Sequence, residues 1–370
     1  MGTTSDHIRR RAGIADPGLG TVRSRIAIYV LLYLLCTVTF HGMTDNHLFN
    51  DDFSWLDAAR HSMEGGSVVT TRVVGFFRPL VNISFHSMER LSPGNIPLHY
   101  SFNLLLHFIC TLLVFHLLSR LVGNAWTAAA GAALFAVTSI HTGAVLWVSA
   151  RTTLLSSALL LGSLLLLAKG GTVRRTAGAG LLFALALAAK ETAIAGLFLA
   201  LLLFLLPSPA RPSRAGIAVF AAVSALYLIT RALVMGGFLQ ANWGPGLHMA
   251  RNIGGGFLYQ FYPWPLFTLF WPQAAHIPES AHPILPEIAA FPLAILLIWA
   301  GARTKERPLY ILGTGWALLA LLPASLFRYR FFSTVSMTQN RYYYLSSVGT
   351  VLVITPVSYT HLTLPTTPYV

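Results

Sequence analysis

Long apolar segments recur along this 370-residue chain and restrict its fold more than any other feature. Each could cross, or nearly cross, about 30 Å of hydrocarbon as a helix. Because a backbone inside a bilayer must satisfy its own hydrogen bonds, the segments are predicted to be α-helices. We expect about ten spans, at residues 26–43, 98–119, 124–140, 151–168, 176–190, 192–206, 215–234, 287–302, 308–323 and 342–357.

The composition agrees with an integral membrane protein. Hydrophobic residues make up 55% of the chain and charged residues 10%, whereas soluble domains have about 25% charged residues. The net charge of +13 would suggest a nucleic-acid partner in a soluble protein. Here the excess of Lys and Arg falls on one side of the alternating spans, which the positive-inside rule makes cytoplasmic. We therefore expect no nucleic-acid partner and a cytoplasmic N-terminal segment at residues 1–25.

Three segments lie outside the alternating spans. Residues 44–97 form a long external loop, with a helix-like piece near 52–64 that we expect on the membrane surface. Residues 235–286 form a second external or re-entrant segment, interrupted by prolines and rich in aromatic residues. Residues 358–370 show no periodicity and are similar to translated sequencing-adapter read-through, so we expect a truncated natural chain with a non-native tail. The transmembrane domain is then residues 26–357.

Two adjacent carboxylates, Asp51 and Asp52, stand out just after the first span of a chain that has few charges. One interpretation is that Asn50 or Asp51 caps the surface helix and that the acids favour its positive end. The other is that a carboxylate takes a proton from an acceptor hydroxyl, or holds a metal beside a phosphate leaving group. The residue pair alone leaves both open.

Further polar residues lie where apolar ones would be less costly. His99, Asn103 and His107 recur every four residues on one face of the second span, where bonding between helices competes with a functional role. Basic residues sit near external span ends, where they could grip a lipid phosphate, reach the interface or pair with an acid such as Glu191. They are Arg78, Arg151, Lys190, Arg231 and Arg341. Cys36 and Cys110 lie in apolar runs, which predicts core packing and neither a disulfide nor a metal cluster.

Taken together, these motifs resemble the GT-C superfamily of polytopic glycosyltransferases. The chain looks closest to bacterial relatives of the transmembrane O-mannosyltransferases that carry tetratricopeptide repeats, and more distantly to protein O-mannosyltransferases and aminoarabinose transferases. The matching pieces, in family order, are Asp51-Asp52, Arg78-Pro79-Leu80, His99 to His107, residues 139–151, Ala189-Lys190-Glu191 and residues 340–349. Ser139 replaces the usual proline, and Gly143 and Asn340 replace glutamates that relatives usually have.

The resemblance implies a transferase that moves a sugar from a polyprenyl-phosphate-linked donor to a protein, lipid or glycan, with inversion at the anomeric carbon. It implies an all-α bundle in the bacterial inner membrane with a periplasmic site, in which Asp51 or Asp52 acts as base and Asp51 is preferred. A divalent cation, Mg²⁺ or Mn²⁺, held by one of these aspartates is left open. The implied residues for the lipid phosphate and sugar are Arg78, His99, Asn103, His141, Arg151, Lys190, Glu191, Arg341 and Tyr342.

Two other functional classes fit part of the sequence. A transporter or flippase for a lipid-linked saccharide would line its path with the polar face of the second span. A polytopic relative that has lost catalysis would explain the replaced glutamates. Sugar transfer by the intact protein distinguishes the transferase from both.

Overall fold

The structure is a computed structural model that describes residues 22–170, 172–208, 210–235, 307–326 and 340–362, with a few isolated positions between 253 and 304. Throughout these residues the regular elements are helices, which confirms the predicted all-α polytopic class. The α-helices are α1 (Val22–Thr39), α2 (Asp52–Met63), α3 (Pro79–Leu91), α4 (Ile96–Val122), α5 (Ala125–Val137), α6 (Arg151–Ala168), α7 (Val173–Ala189), α8 (Ala195–Leu205), α9 (Arg214–Met235), α10 (Arg307–Ser325) and α11 (Ser347–Leu362), with a single turn at Thr142–Val145.

Length and composition make five described helical segments able to cross a membrane, or six if one bent pair is a single span. The five contain α1, α4, α6, α9 and α10. The predicted spans at 176–190 and 192–206 correspond to the shorter helices α7 and α8. The predicted span at 287–302 and the segment 235–286 lie almost wholly outside the described residues, as do the N-terminal residues 1–21. Residues 358–362 of the predicted tail continue α11.

Local sequence signals account for the hairpin of α4 and α5. Asn95 caps α4 by accepting a hydrogen bond from Leu98 N, and Pro97 occupies the first turn, where its missing N–H is harmless. Gly123 ends α4 with a φ of +74°, a left-handed conformation that suits glycine. The Asn124 side chain then accepts from two backbone N–H groups and starts α5 at once. The two long helices are thereby folded back against each other.

The predicted span 124–140 is not one straight helix. Thr138 leaves the helix in an extended conformation, and a 3₁₀ turn at Ser139–His141 and the turn at Thr142–Val145 follow. The two parts are bent by 50°. A second 3₁₀ turn, Val148–Ala150, leads directly into α6. This broken segment is what brings residues 139–151 to the site described below.

In the helix bundle, α6 packs against α7, α10 against α11, and α4 against both α5 and α6, while α11 also packs against α5 and α10 against α8. Small residues allow the closest approach, since a Cβ added to Gly349 of α11 would overlap the backbone of Gly313 and Ala317 in α10. Cys36 and Cys110 are buried and free, as the sequence predicts.

The predicted external loop, residues 44–97, contains two helices, and not only the predicted piece near 52–64. Helix α2 confirms that piece, and α3 packs against it and against α6 and α7 of the bundle. The rings of Trp55 in α2 and Phe85 in α3 stack at 5.6 Å. The loop is therefore a structured cap on one end of the bundle, held to it by buried side chains.

Candidate active site

The acidic turn, residues 49–52, is folded by its own side chains. Asn50 has a φ of +53°, a left-handed conformation that asparagine tolerates better than most residues. The Phe49 N–H donates to Asp52 Oδ2 at 3.2 Å, which closes the turn. The chain then enters α2, so both carboxylates stand at the positive end of that helix.

Asp52 joins the acidic turn to the segment before α6. Its Oδ1 accepts a hydrogen bond from Ser149 N at 2.7 Å and another from Ser149 Oγ at 2.5 Å. The side chain is 0% exposed. Burial raises the pKa of Asp52 above 3.8, against the opposing effect of the Ser149 and Phe49 hydrogen bonds. Both carboxylate oxygens are thus engaged in holding two parts of the chain together.

Asp51 has a different environment from its neighbour. It occupies the N-cap position of α2, but its side chain makes no capping hydrogen bond, and it is partly exposed. Asp51 therefore occupies the predicted N-cap position, but its side chain does not make the hydrogen bond that a cap would make. Of the two acids, Asp51 has the carboxylate that is open to a ligand.

A cationic pocket lies beside the start of α6 and the end of α7. It is lined by Thr153, Ser156, Ser157, Leu160, Lys190, Thr192, Ala193, Ala320, Ala324, Arg341, Tyr342 and Leu345. Two cations and several hydroxyls face it, and none of these lining residues carries a carboxylate. The remaining wall is apolar. Such a pocket complements an anionic group that has an apolar continuation.

Lys190 and Arg341 are both held in the pocket by aromatic and hydroxyl groups. Lys190 Nζ donates to Thr153 Oγ1 at 2.7 Å and lies 5.0 Å from the centre of the Tyr342 ring. Because lysine can only donate, the Thr153 hydroxyl keeps its hydrogen for another acceptor. Arg341 lies 4.1 Å from the centre of the Trp147 ring and donates to the Tyr342 hydroxyl at 3.3 Å. Three predicted ligand residues, Lys190, Arg341 and Tyr342, are therefore brought together.

Arg78 and Glu191 form an ion pair with each other. Arg78 Nε and Nη2 donate to the two Glu191 oxygens at 3.0 and 2.6 Å, and both side chains are buried. Arg78 precedes α3, and Glu191 follows α7, so the pair fastens the loop of residues 44–97 to the bundle. Glu191 adjoins Lys190 in the chain, but neither member of the pair lines the cationic pocket.

A second buried network contains His99, Asn103 and Arg151. Arg151 Nη2 donates to His99 Nδ1 at 2.9 Å, and Arg151 Nε donates to Asn103 Oδ1 at 3.4 Å. Since arginine cannot accept, His99 carries its proton on Nε2 and donates it to Glu89 Oε1 at 3.1 Å. The Arg151 guanidinium also lies 4.1 Å from the Phe85 ring centre. Arg151 is thus outside the cationic pocket, and of the basic residues considered at the span ends Lys190 and Arg341 line it.

His107 and His141 lie deeper, in an aromatic cluster. His107 hydrogen-bonds the Tyr344 hydroxyl at 2.7 Å and the Ala136 carbonyl at 3.1 Å, which agrees with bonding between helices. His141 Nε2 hydrogen-bonds Ser347 Oγ at 2.8 Å and is fully buried. The face formed by His99, Asn103 and His107 is satisfied by protein groups, so it does not line an open transport path.

Several residues of the site were not predicted. Glu89 was missed because a single acid on a polar helix of a loop is usually exposed, and here it is buried and also contacts Arg60 Nε at 3.3 Å. Ser149 and Thr153 gave no signal because hydroxyl residues are common at helix starts. Only the positions of Ser149 and Thr153 beside Arg151, which was predicted, could have drawn attention to them.

A divalent cation at the aspartates stays a prediction. Both oxygens of Asp52 accept hydrogen bonds, which leaves Asp51 to offer a free carboxylate. Across the described ranges, three or more His, Cys, Asp or Glu side chains do not gather in a metal-binding group. We derive no step through a metal.

Comparison with known proteins finds a structural likeness at low sequence identity. No protein-family model and no curated protein matches this chain. The archaeal oligosaccharyltransferase AglB from Archaeoglobus fulgidus, solved with an inhibitory peptide and a dolichol-phosphate, aligns with a TM-score of 0.47 at 15% sequence identity. The alignment covers 91% of this chain and 51% of that one, so this chain spans about half its length.

Proposed function

We propose that this protein is a membrane glycosyltransferase that takes its sugar from a polyprenyl-phosphate-linked donor. The observation that carries the proposal is the pairing of an open carboxylate with a cationic pocket through one aromatic contact. Phe49, in the acidic turn, stacks on Trp147 at 5.4 Å, and Trp147 in turn contacts Arg341 of the pocket. A base and a phosphate site on linked parts of the chain are what glycosyl transfer from a phosphate donor requires.

The donor is assigned to the cationic pocket. Lys190 and Arg341 supply positive charge, and Thr153 and Ser157 of the same lining supply hydroxyls. Arginine keeps its charge at physiological pH and matches two phosphate oxygens at once. The apolar wall, which includes Leu160 and Leu345, suits the first isoprene units of the lipid.

Asp51 is assigned as the base and Asp52 as the residue that holds the turn. In the reaction, Asp51 takes the proton of the acceptor hydroxyl, and the oxygen of that hydroxyl bonds to the anomeric carbon of the sugar. The bond between that carbon and the phosphate oxygen breaks, and polyprenyl phosphate leaves with the electron pair, stabilised by Lys190 and Arg341. Attack opposite the leaving group inverts the anomeric centre. The acceptor is a protein, lipid or glycan hydroxyl at the periplasmic face of a bacterial inner membrane.

The test is sugar transfer by the intact protein in membranes. Polyprenyl phosphates carrying radiolabelled mannose, glucose or aminoarabinose are supplied one at a time, and label is followed into the protein, lipid and glycan fractions. We expect transfer by the wild type and a loss of about 10²- to 10⁴-fold in Asp51→Asn, the range for removing a general base.

The matched control is Asp57→Asn, which removes an exposed carboxylate from the same loop. It should transfer at the wild-type rate. Full activity of Asp51→Asn would rule out Asp51 as base, and movement of labelled lipid across vesicles without any glycosyl product would favour a flippase instead.

A further inference from the structure

Trp147 connects the two halves of the proposed site, and the mechanism above gives it no role. Its side chain is 2% exposed. The Phe49 ring stacks on it with an interplanar angle of 23°, and the Arg341 guanidinium lies over it. A rigid ring thus contacts both the acidic turn and a flexible cation of the pocket.

The position of Trp147 is fixed from its backbone. Its carbonyl oxygen accepts from Asn103 Nδ2 at 2.9 Å and from Ala150 N at 3.0 Å. The Asn103 amide is oriented in turn by Arg151 Nε. The network of His99, Asn103 and Arg151 therefore holds Trp147 in place. None of these three side chains lines the cationic pocket.

The indole itself is held by packing and not by a hydrogen bond. Trp147 Nε1 is buried and has no hydrogen-bond partner in the part of the chain that the structure describes. Its faces are what contact Phe49 and Arg341. A change that removes the ring therefore removes the surface on which the Arg341 side chain rests.

We propose that Trp147 is a positioning residue that sets the direction of the Arg341 guanidinium and links it to the acidic turn. The proposal rests on the proposed function in that Arg341 receives the donor phosphate. Its physical basis is a cation–π contact between the buried Trp147 ring and the partly buried Arg341 side chain, which is stronger than a fully exposed one because neither group is fully solvated. Without the ring, Arg341 keeps its bond to Tyr342 and loses its orientation toward the pocket.

The first test does not involve the donor. Arg341 is modified with phenylglyoxal in the purified protein, and its adduct is quantified by mass spectrometry against that of Arg90, an exposed arginine of the same chain. Trp147→Leu should raise the Arg341 rate about five- to thirty-fold, the range for losing a desolvated cation–π contact. Trp147→Tyr should stay within about twofold of the wild type, because a π face remains. An unchanged rate in Trp147→Leu would overturn the proposal.

The second test measures binding of farnesyl phosphate, a phosphate with a short prenyl chain. Trp147→Leu should weaken binding about fivefold or more, and Arg341→Gln should weaken it as well. The double variant should bind no more weakly than Arg341→Gln, because Trp147 acts through Arg341. Equal losses from Trp147→Leu in both backgrounds would contradict that role. Trp126→Leu is the control, since Trp126 is 69% exposed and lies at the start of α5, the opposite end of that helix from the break that leads to Trp147.

The two tests separate the two proposals. If wild-type protein does not bind farnesyl phosphate, the proposed donor is wrong, and the phenylglyoxal rates still decide whether Trp147 positions Arg341. If Trp147→Leu does not fold, Trp147→Tyr and Trp147→Phe replace it. The Arg341 rate should then rise in the order Trp, Tyr, Phe, following the strength of the ring as a cation partner, and a flat or reversed order would overturn the inference.

Discussion

Removing one member of the Arg78 and Glu191 pair should destabilise the protein strongly. The two side chains are buried, and their two hydrogen bonds form a fork in which each guanidinium nitrogen meets its own carboxylate oxygen. Glu191→Gln keeps the shape of the side chain and removes its charge. Arg78 is then a buried cation beside Lys190 without its counter-ion, so the loss exceeds the value of the pair itself.

The magnitude follows from burial. Breaking a buried ion pair by removing one partner costs about 3–5 kcal/mol. For a chain of 370 residues, the entropy of unfolding per residue converts this loss to a fall of about 4–6 °C in the apparent Tm. The double variant Arg78→Met with Glu191→Leu removes both charges and should recover most of the loss, because a buried pair replaced by apolar residues is close to neutral.

The chain contains its own probe for the assay. Cys36 and Cys110 are its only cysteines, and both are buried and free. A thiol-reactive fluorescent dye therefore labels the protein only as it unfolds, so heating in detergent gives the apparent Tm of each variant. Arg90→Gln, which removes an exposed arginine from α3, is the control and should change the Tm little.

Two results would refute this reasoning. If Glu191→Gln unfolds within about 1 °C of the wild type, the pair is no more than a surface salt bridge in energy. If the double variant is less stable than either single one, the charges stabilise the fold individually and not as a pair. A third result, loss of farnesyl phosphate binding in a fully stable double variant, would return Arg78 to the donor site.

Two further predictions concern buried polar groups. Tyr344→Phe leaves His107 Nδ1 without its partner and should cost about 1–3 kcal/mol in the same dye assay, with Tyr33→Phe, an exposed tyrosine, as the control. The raised pKa of Asp52 means that the stability of the wild type relative to Asp52→Asn is greatest below pH 3.8 and falls as pH rises through the raised pKa. Tryptophan fluorescence during thermal unfolding measures this dependence, and a difference that grows with pH would contradict the assigned direction.

The helices could be predicted because the bilayer imposes one requirement on every spanning segment. Apolar runs of sufficient length must be helical, and each predicted span except 287–302 coincides with a described helix or a pair of helical pieces. The break after Val137 was not predicted, although the polar residues Thr138 and Ser139 follow it directly, because two polar residues near the end of a span do not by themselves stop a helix. That break depends on tertiary contacts such as His141 with Ser347, which are 206 positions apart.

The sequence could predict which residues belong to the candidate site, but it could not predict which of them contact each other. Scarcity of charge singled out Asp51, Asp52, Arg78 and Glu191, since a charged residue in so apolar a chain needs a reason. Which charge meets which depends on contacts such as that between Asp52 and Ser149, 97 positions apart. No local pattern encodes such a distance, so sequence reasoning could not separate a structural arginine from one that faces a pocket.

The start of α6 explains how the Asp52 carboxylate is kept apart from the cations Arg151 and Lys190, although all three contact the same short stretch of chain. Within five residues, Ser149 holds the carboxylate of Asp52, Arg151 enters the network of α4, and Thr153 holds Lys190. Successive side chains at a helix start point in different directions, so this one stretch reaches three groups without bringing them together. The buried acid is satisfied by uncharged donors and so does not neutralise the pocket. Lys190 and Arg341 therefore face a pocket whose described lining residues include no carboxylate.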